Sequence, residues 1–185
     1  MSEAHGANHS TQPAARLMWV RTRTELRGTR RRRQHPCWDH LIVAPLWPKY
    51  GVNLGTLLRT CDAVGACLAV PRKPWIAEAL AKGNTLRQSS CVHWVNEPLG
   101  WLAAQRTAGS DMVGVELTDE SIRLVELRPA RRRTVVVLGH ESDGIPSEAT
   151  ELLDMAVEIP MLGIGLSLNV AVAGSLVAYK LAGLA

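Results

Sequence analysis

Short apolar runs rich in β-branched residues alternate with amphipathic segments along most of this chain. The runs predict strands, and the segments between them, whose apolar positions recur every three or four residues, predict helices. This alternation is typical of βαβ units and predicts an α/β fold, a mostly parallel sheet flanked by helices on both faces. The strands are predicted at 41–46, 67–70, 89–95, 112–116, 134–138 and 156–159, and the helices at 53–64, within 71–82, at 98–106 and at 168–182, with 118–127 helical or irregular.

Two loops near the C-terminal end of the pattern are candidates for a ligand site. The run 134–138 ends at Gly139 and leads through Glu141 to Pro146, where a helix is predicted to begin. After the next strand comes a glycine-interrupted loop, and Ser167 is predicted to cap the last helix. Ligands of open parallel sheets bind beyond the carboxyl ends of the strands, so both loops are predicted to face one pocket.

The first predicted helix carries a candidate functional arginine. Asn53 is predicted to cap this helix and Gly65 to end it. Arg59 lies directly beside the apolar stripe of the helix, where a guanidinium needs an anionic partner. A snorkelling side chain or a structural ion pair would explain the same position.

Length and composition indicate one domain. A chain of 185 residues, 46% hydrophobic and 21% charged, is long enough for one sizeable core and too short for two ordinary domains. No apolar run approaches the roughly 20 residues that cross a bilayer, and no apolar signal core follows the first charges. We therefore expect a cytoplasmic protein without a membrane partner.

The positive charge is concentrated near the N-terminus. Residues 16–33 carry eight arginines and one glutamate, a local charge of +7, whereas the rest of the chain carries −3. Residues 1–15 are predicted to be a disordered leader, 16–39 an arginine-rich arm and 40–185 the folded domain. The arm is suited to contacts with nucleic-acid phosphates, and a solvated tail without a specific partner is the alternative.

The cysteines and tryptophans suggest packing. The four cysteines form no Cys-x-x-Cys pair and no zinc-finger spacing with histidine, so we expect reduced thiols, neither metal ligands nor disulfides. Trp47, Trp75, Trp94 and Trp101 each neighbour a predicted strand or helix end. They are expected to pack in the core or at its rim, and base-stacking platforms are the alternative.

Three stretches taken together resemble a known enzyme family. In order and spacing they are similar to motifs 1, 2 and 3 of the SpoU/TrmH family of the SPOUT superfamily, the RNA 2'-O-ribose methyltransferases. The resemblance covers about 41–181. The stretches are Asn53-Leu-Gly-Thr-Leu-Leu-Arg59-Thr-Cys-Asp-Ala-Val-Gly65, Leu138-Gly-His-Glu141-Ser-Asp-Gly-Ile-Pro146, and Ile159-Pro-Met-Leu-Gly163 through Ser167-Leu-Asn169-Val-Ala-Val-Ala173.

The resemblance implies a SPOUT fold with a deep trefoil knot at the C-terminal end, which patterning alone does not predict because knots are nearly absent from proteins. It also implies that S-adenosylmethionine binds in a bent conformation, held largely by backbone groups of the knot loops. By motif position, the cofactor-binding residues would be Leu138, Gly139, Ile159, Met161, Ser167 and Leu168, with Leu117 at the end of the preceding strand.

The resemblance also implies roles for polar residues. A ribose 2'-hydroxyl is a poor nucleophile, so its attack on the cofactor methyl needs proton removal and alignment. Arg59 would orient that hydroxyl together with the RNA phosphate, since arginine is too basic for a general base. Asn53, Glu141, Ser167 and Asn169 would complete the catalytic set, with Glu141 organising the loops and Asn53.

The implied assembly is a homodimer in which Arg59 reaches the partner's cofactor site. The substrate is RNA, with tRNA ahead of ribosomal RNA because the tRNA-modifying members are typically this compact. A catalytically idle RNA-binding relative is the alternative from another class. A nucleotide-binding oxidoreductase is disfavoured, because no Gly-x-Gly-x-x-Gly lies between a strand and a helix with an acidic residue about 20 positions later.

Overall fold

A computed structural model describes residues 40–83, 85, 91–165 and 167–185. All of the described residues belong to one compact unit. The predicted leader and the arginine-rich arm lie outside them, so both interpretations stay predictions. Within the described ranges, no helix is long and apolar enough to cross a membrane.

The described strands form one seven-stranded sheet in which every pairing is parallel. Its order is β3-β2-β1-β6-β4-β7-β5, which confirms the predicted parallel α/β architecture. The strands are β1 Leu41–Pro45, β2 Cys67–Pro71, β3 Val92–Val95, β4 Asp111–Val115, β5 Ile122–Arg123, β6 Thr134–Leu138 and β7 Met155–Glu158.

Helices cover both faces of the sheet. The described helices are α1 Gly51–Val64, α2 Pro74–Gly83, α3 Pro98–Thr107, the single turn α4 Ser147–Thr150 and α5 Val170–Leu181. Side chains of α1, α2 and α5 share one hydrophobic cluster with the sheet, and side chains of α3 and α4 share the other. Strands β1, β2 and β6, buried at every position, separate the two clusters.

Both helix N-caps predicted from the sequence, Asn53 and Ser167, are wrong. The first helix begins at Gly51, so Asn53 lies inside it and its side chain bonds elsewhere. The last helix begins at Val170 and is capped by Asn169, not by Ser167. At Pro146 the expected helix is only one turn long. The C-cap prediction is confirmed, because Gly65 has φ 78°.

The stretch 118–127 contains a strand that the pattern did not reveal. Ile122 and Arg123 pair with Val157 and Glu158 of β7 and extend the sheet at its edge. A 3-10 turn, Leu124–Glu126, follows. Two residues are too few for a readable period, which explains why the sequence left this stretch as helical or irregular.

The prediction that all cysteines are reduced is wrong for one pair, because a disulfide joins Cys67 to Cys91. Leu68 pairs with Val92 in the parallel register, which places the preceding residues opposite each other with their Cα atoms 4.8 Å apart. Nε2 of His93 lies 3.6 Å from Sγ of Cys91. These three side chains are of metal-ligating types, but a sulfur in a disulfide is not a thiolate ligand.

The tryptophans divide into packed and exposed ones. Trp94 packs against the cluster that includes α1 and α2, whereas Trp47 and Trp101 pack against the opposite cluster. Trp75, in the first turn of α2, is 39% exposed. The packing prediction therefore holds for three of the four and only in part for Trp75.

Candidate active site

The candidate site lies at the carboxyl edge of the sheet, where β6, β4 and β7 are neighbours. Val115 pairs with both Leu138 and Val157, so the three strands end side by side. The segments that follow these strands contain Leu117, Gly139 and Ile159. The two loops predicted from sequence are therefore brought together at one edge, as expected.

A chain of hydrogen bonds connects three of the predicted catalytic residues. Nδ2 of Asn169 donates to Oδ1 of Asn53 at 3.0 Å, and Nδ2 of Asn53 donates to Oε1 of Glu141 at 2.8 Å. Oδ1 of Asn169 accepts from the backbone N–H groups of Ala171 and Val172. The start of α5 is thus joined to the loop after β6 through Asn53, which is 4% exposed.

The groups at the two ends of this hydrogen-bonded chain fix the orientation of the Asn53 and Asn169 side-chain amides. An ionised carboxylate only accepts hydrogen bonds, so Asn53 must turn its NH₂ group toward Glu141. The first N–H groups of a helix only donate, so Asn169 must turn its oxygen toward α5. Every donor in the chain therefore points toward Glu141.

Glu141 also holds the start of α1. Its Oε2 accepts from the backbone N–H of Lys49 at 2.7 Å and its Oε1 from that of Tyr50 at 3.1 Å. Partial burial acts to raise the pKa of Glu141, but the bonds from Lys49, Asn53 and Tyr50 outweigh it and lower that pKa. A carboxylate from a distant loop thus takes the place of a local cap, which explains why Asn53 is not at the helix start.

The loop between β6 and α4 is tightly folded. His140 and Gly144 exchange two backbone hydrogen bonds of 2.8 and 2.9 Å. A Cβ on Gly139 would collide with the backbone of Gly144 and Ile145. Gly144 has φ 72°, a conformation that favours glycine. Both glycines are therefore required for this fold of the loop.

The predicted cofactor-binding residues differ in exposure. Leu138 is buried, whereas Leu117 is 71%, Met161 39% and Leu168 37% exposed. Leu162 and Ile164 of the loop after β7 are fully exposed. In this single chain the site is therefore an open apolar edge beside a polar chain, and not an enclosed pocket.

Arg59 does not join the hydrogen-bonded chain. It lies six residues after Asn53 on α1, which places it about 240° around the helix. Its side chain is exposed, and Nη1 donates to Oγ1 of Thr85 at 2.5 Å. Within the described residues no carboxylate pairs with Arg59, so the structural ion pair considered above is not present there. Ser167 is also exposed and does not take part in the hydrogen bonds that join Asn169, Asn53 and Glu141.

Two residues that position the site were missed. Oε2 of Glu116 accepts from the backbone N–H of Ile145 at 2.9 Å and so supports the loop after β6. Nζ of Lys49 donates to Oγ of Ser142 at 2.8 Å in that same loop. The sequence feature that could have predicted the role of Glu116 is a carboxylate at the end of a strand that neighbours a glycine-containing loop. No feature of the sequence pointed to the role of Lys49.

A parallel α/β sheet with a polar chain at its carboxyl edge defines the general class of proteins that bind ligands beyond their strand ends. Residues 40–179 match the model of the SpoU rRNA Methylase family. Since this match covers well over half of the sequence, the chain belongs to that family.

Curated relatives agree in sequence. The chain is 32% identical over 133 residues to the tRNA (guanosine(18)-2'-O)-methyltransferase of Aquifex aeolicus, covering 69% of this chain and 62% of the relative. It is 31% identical over 173 residues to the enzyme of the same description from Thermus thermophilus, covering 87% and 84%. For the Escherichia coli enzyme the shares are 69% and 56%. The chain thus spans less than two thirds of the length of several of these relatives.

Solved structures agree in fold. The chain is similar to the A. aeolicus TrmH/SpoU tRNA modifying enzyme with a TM-score of 0.69 and 30% identity, covering 80% of this chain and 76% of the other. For the AdoMet-bound rRNA methyltransferase of Sinorhizobium meliloti the TM-score is 0.67 at 25% identity, covering 80% and 57%.

Proposed function

We propose that the protein is an S-adenosylmethionine-dependent RNA 2'-O-ribose methyltransferase that acts on tRNA. The observation that carries the proposal is the hydrogen-bonded chain from Glu141 through Asn53 to Asn169 at the carboxyl edge of the sheet. These hydrogen bonds bring together residues of all three family motifs within one protomer. The comparisons support the same activity through relatives described as tRNA 2'-O-methyltransferases.

The residues at the edge fit the cofactor. An adenine ring and a sulfonium need apolar cover and backbone partners, and the exposed Leu117, Met161 and Leu168 supply apolar surface beside three strand ends. Leu138, Gly139, Ile159 and Ser167 would contribute backbone groups. When bound, S-adenosylmethionine supplies the methyl group on a positively charged sulfur.

The polar chain positions the substrate side of the site. Its carboxylate end holds the loop after β6 and the first turn of α1 in one fixed relation, so groups on the two elements keep their spacing. Asn169 and Ser167 lie where the loop after β7 meets α5. We assign them to orienting the ribose, and Glu141 to organising the loops.

Arg59 acts in the partner's site of a homodimer. Two observations support this: Arg59 is exposed and about 240° around α1 from Asn53, and an apolar stripe on α5 is uncovered. Val172, Leu176 and Tyr179 of that stripe are 47%, 41% and 37% exposed. Such a stripe is typical of a surface that a second copy covers.

The trefoil knot belongs to the same proposal. The parallel sheet order and the likeness to SpoU structures are consistent with a knot formed by the last loops and α5. The arginine-rich segment 16–39 is proposed as a further phosphate-contacting arm. Both statements rest on the family.

Ribosomal RNA is the second candidate substrate. It is favoured by the family description and by a structural relative described as an rRNA methyltransferase. Labelled methyl transfer to fractionated tRNA and ribosomal RNA, followed by nuclease mapping, separates the two candidates. Label in neither fraction, with S-adenosylmethionine still bound, would favour the catalytically idle relative.

Mixing two inactive variants tests the shared site. Arg59→Ala and Asn169→Ala should each lose methyl transfer, with cofactor binding kept by the first. If Arg59 acts in the partner's site, co-refolding equal amounts restores about a quarter of wild-type activity, because half of the dimers are mixed and each has one intact site of two. If Arg59 acts within its own chain, mixing restores nothing and the dimeric mechanism is wrong.

A further inference from the structure

We infer that the surface from the start of α1 across Trp75 to Arg72 and Trp94 binds unpaired nucleotides of the RNA substrate next to the methylated one. This inference rests on the proposed function and names the part of the protein that holds the RNA. It assigns base stacking to Trp75 and phosphate binding to Arg72 and Lys73.

The surface is continuous with the candidate active site. The backbone N–H groups of Lys49 and Tyr50 are bound to Glu141, and Gly51 follows directly. A Cβ placed on Gly51 would lie 3.7 Å from Cζ3 of Trp75. The indole of Trp75 therefore begins one residue beyond the segment that Glu141 holds.

An aromatic ring is available within a cleft on this surface. The cleft has a volume of about 460 Å³ and runs between α1 and α2, lined by Gly51, Val52, Trp75, Glu78, Ala79, Lys82 and Gly83. Trp75 lines this cleft and is 39% exposed as a residue, and stacking on aromatic side chains is how unpaired bases are bound without sequence preference.

Cations lie just beyond the indole. Arg72 and Lys73 precede the first turn of α2 and are both exposed. Nε of Arg72 donates to Oδ1 of Asn96 at 3.0 Å, and the guanidinium lies 5.9 Å from the ring centre of Trp94. A second cleft of about 260 Å³ lies between these groups and α2. The guanidinium is thus oriented by two contacts while its position stays accessible.

The acidic side chains nearby are already engaged. Glu78 pairs with Lys82 one turn along α2. Glu97 accepts from the backbone N–H groups of Leu99 and Gly100 at the start of α3. Neither carboxylate opposes Arg72 or Lys73, so the local charge favours an anionic partner such as an RNA phosphate.

The first test removes the two exposed cations. Arg72→Gln with Lys73→Gln should raise KM for RNA about tenfold, leave kcat and cofactor affinity unchanged, and lower the salt slope of RNA binding by about 1.4. The matched control is Arg128→Gln with Arg131→Gln, two exposed arginines preceding the amino end of β6. The control removes the same charge, so an equal loss in both variants would overturn the inference.

The second test concerns stacking. Trp75→Leu should weaken binding of unmodified tRNA about tenfold, because one base–aromatic stack is lost. Trp75→Phe keeps an aromatic face and should recover most of that affinity, while both variants keep wild-type melting temperatures to within a few degrees. Equal binding by the leucine variant and the wild type would rule out the stacking role.

The binding measurements also separate this inference from the proposed activity. Fluorescence anisotropy with labelled tRNA requires no methyl transfer. Suppose that the wild-type protein binds tRNA but transfers no methyl group, and that only the Arg72, Lys73 and Trp75 variants lose tRNA binding. This result would refute the proposed methyltransferase activity and support the proposed RNA-binding surface. Methyl transfer with unchanged KM in those variants would support the activity and refute the surface.

Discussion

Replacing Glu141 by glutamine keeps the size and shape of the side chain but removes its negative charge. The substitution therefore tests whether the carboxylate holds the start of α1. The carboxylate accepts three hydrogen bonds, from the backbone of Lys49 and of Tyr50 and from Asn53. The glutamine oxygen can keep the two hydrogen bonds that Oε1 accepts from Tyr50 and Asn53. Its NH₂ group would face the backbone N–H of Lys49, and two donors cannot form a hydrogen bond with each other. One charge-assisted bond is lost, and the charge at the start of α1 is lost with it.

The expected cost follows from these contacts. A hydrogen bond to a charged group contributes about 1.5–3 kcal/mol, and the partial exposure of Glu141 reduces this to about 1–2 kcal/mol. For a chain of this size, that corresponds to a fall in melting temperature of about 2–8 °C. Urea unfolding gives the free energy directly, and the slope with urea should not change.

The pH dependence is the sharper observation. Because the pKa of Glu141 is lowered in the folded protein, its contribution is complete above the unfolded pKa of about 4.3 and is lost as pH falls through the lower folded value. The stability difference between wild type and Glu141→Gln should therefore be constant from pH 8 to about pH 5 and shrink below about pH 4.

Glu120→Gln is the control for this experiment. Glu120 is exposed on the turn that follows β4, and its replacement should leave stability within about 0.5 kcal/mol. If Glu141→Gln were as stable as wild type at pH 7, or if its deficit did not change toward pH 3, the carboxylate would not hold the start of α1 as described.

Three further predictions concern the disulfide, helix packing and loop support. Reduction of the bond between Cys67 and Cys91 should lower the free energy of unfolding by about 3 kcal/mol, measured by urea unfolding with and without dithiothreitol; an unchanged midpoint would contradict this. Gly55→Ala should cost about 1–3 kcal/mol, since a Cβ there would lie 2.7 Å from Cα of a glycine in α2, whereas Thr56→Ala, at an exposed position of the same helix, should cost less than 1 kcal/mol. Glu116→Ala should weaken S-adenosylmethionine binding in calorimetry, because the backbone N–H of Ile145 in the loop after β6 loses the side-chain oxygen that accepts from it; unchanged affinity would remove Glu116 from the site.

Local patterns predicted the sheet well because each central strand is buried on both faces. The apolar run 134–138 coincides with β6, and strands β1, β2, β4 and β7 differ from the prediction by one residue at one or both ends. Position along the chain also placed the site, since the carboxyl ends of parallel strands share an edge.

Partners that are distant in sequence explain what the patterns did not predict. Asn53 has the residue type of a cap, yet the carboxylate that holds the start of α1 comes from Glu141, 88 residues further on. Cys67 and Cys91 face each other only because β2 and β3 are neighbours in register. A local pattern contains no information about such pairings. Strand β5 was not predicted for another reason, because its two residues are too few to show a strand period.

The pairing of β1 with β6 also affects how the protein is made. Leu41 pairs with Thr134, so β1 meets its central neighbour β6 only after strands β2 to β5 have been synthesised. At typical elongation rates β1 waits on the order of ten seconds before β6 can pair with it. The centre of the sheet is therefore completed late in synthesis, and the protein should fold slowly because its central contacts are non-local.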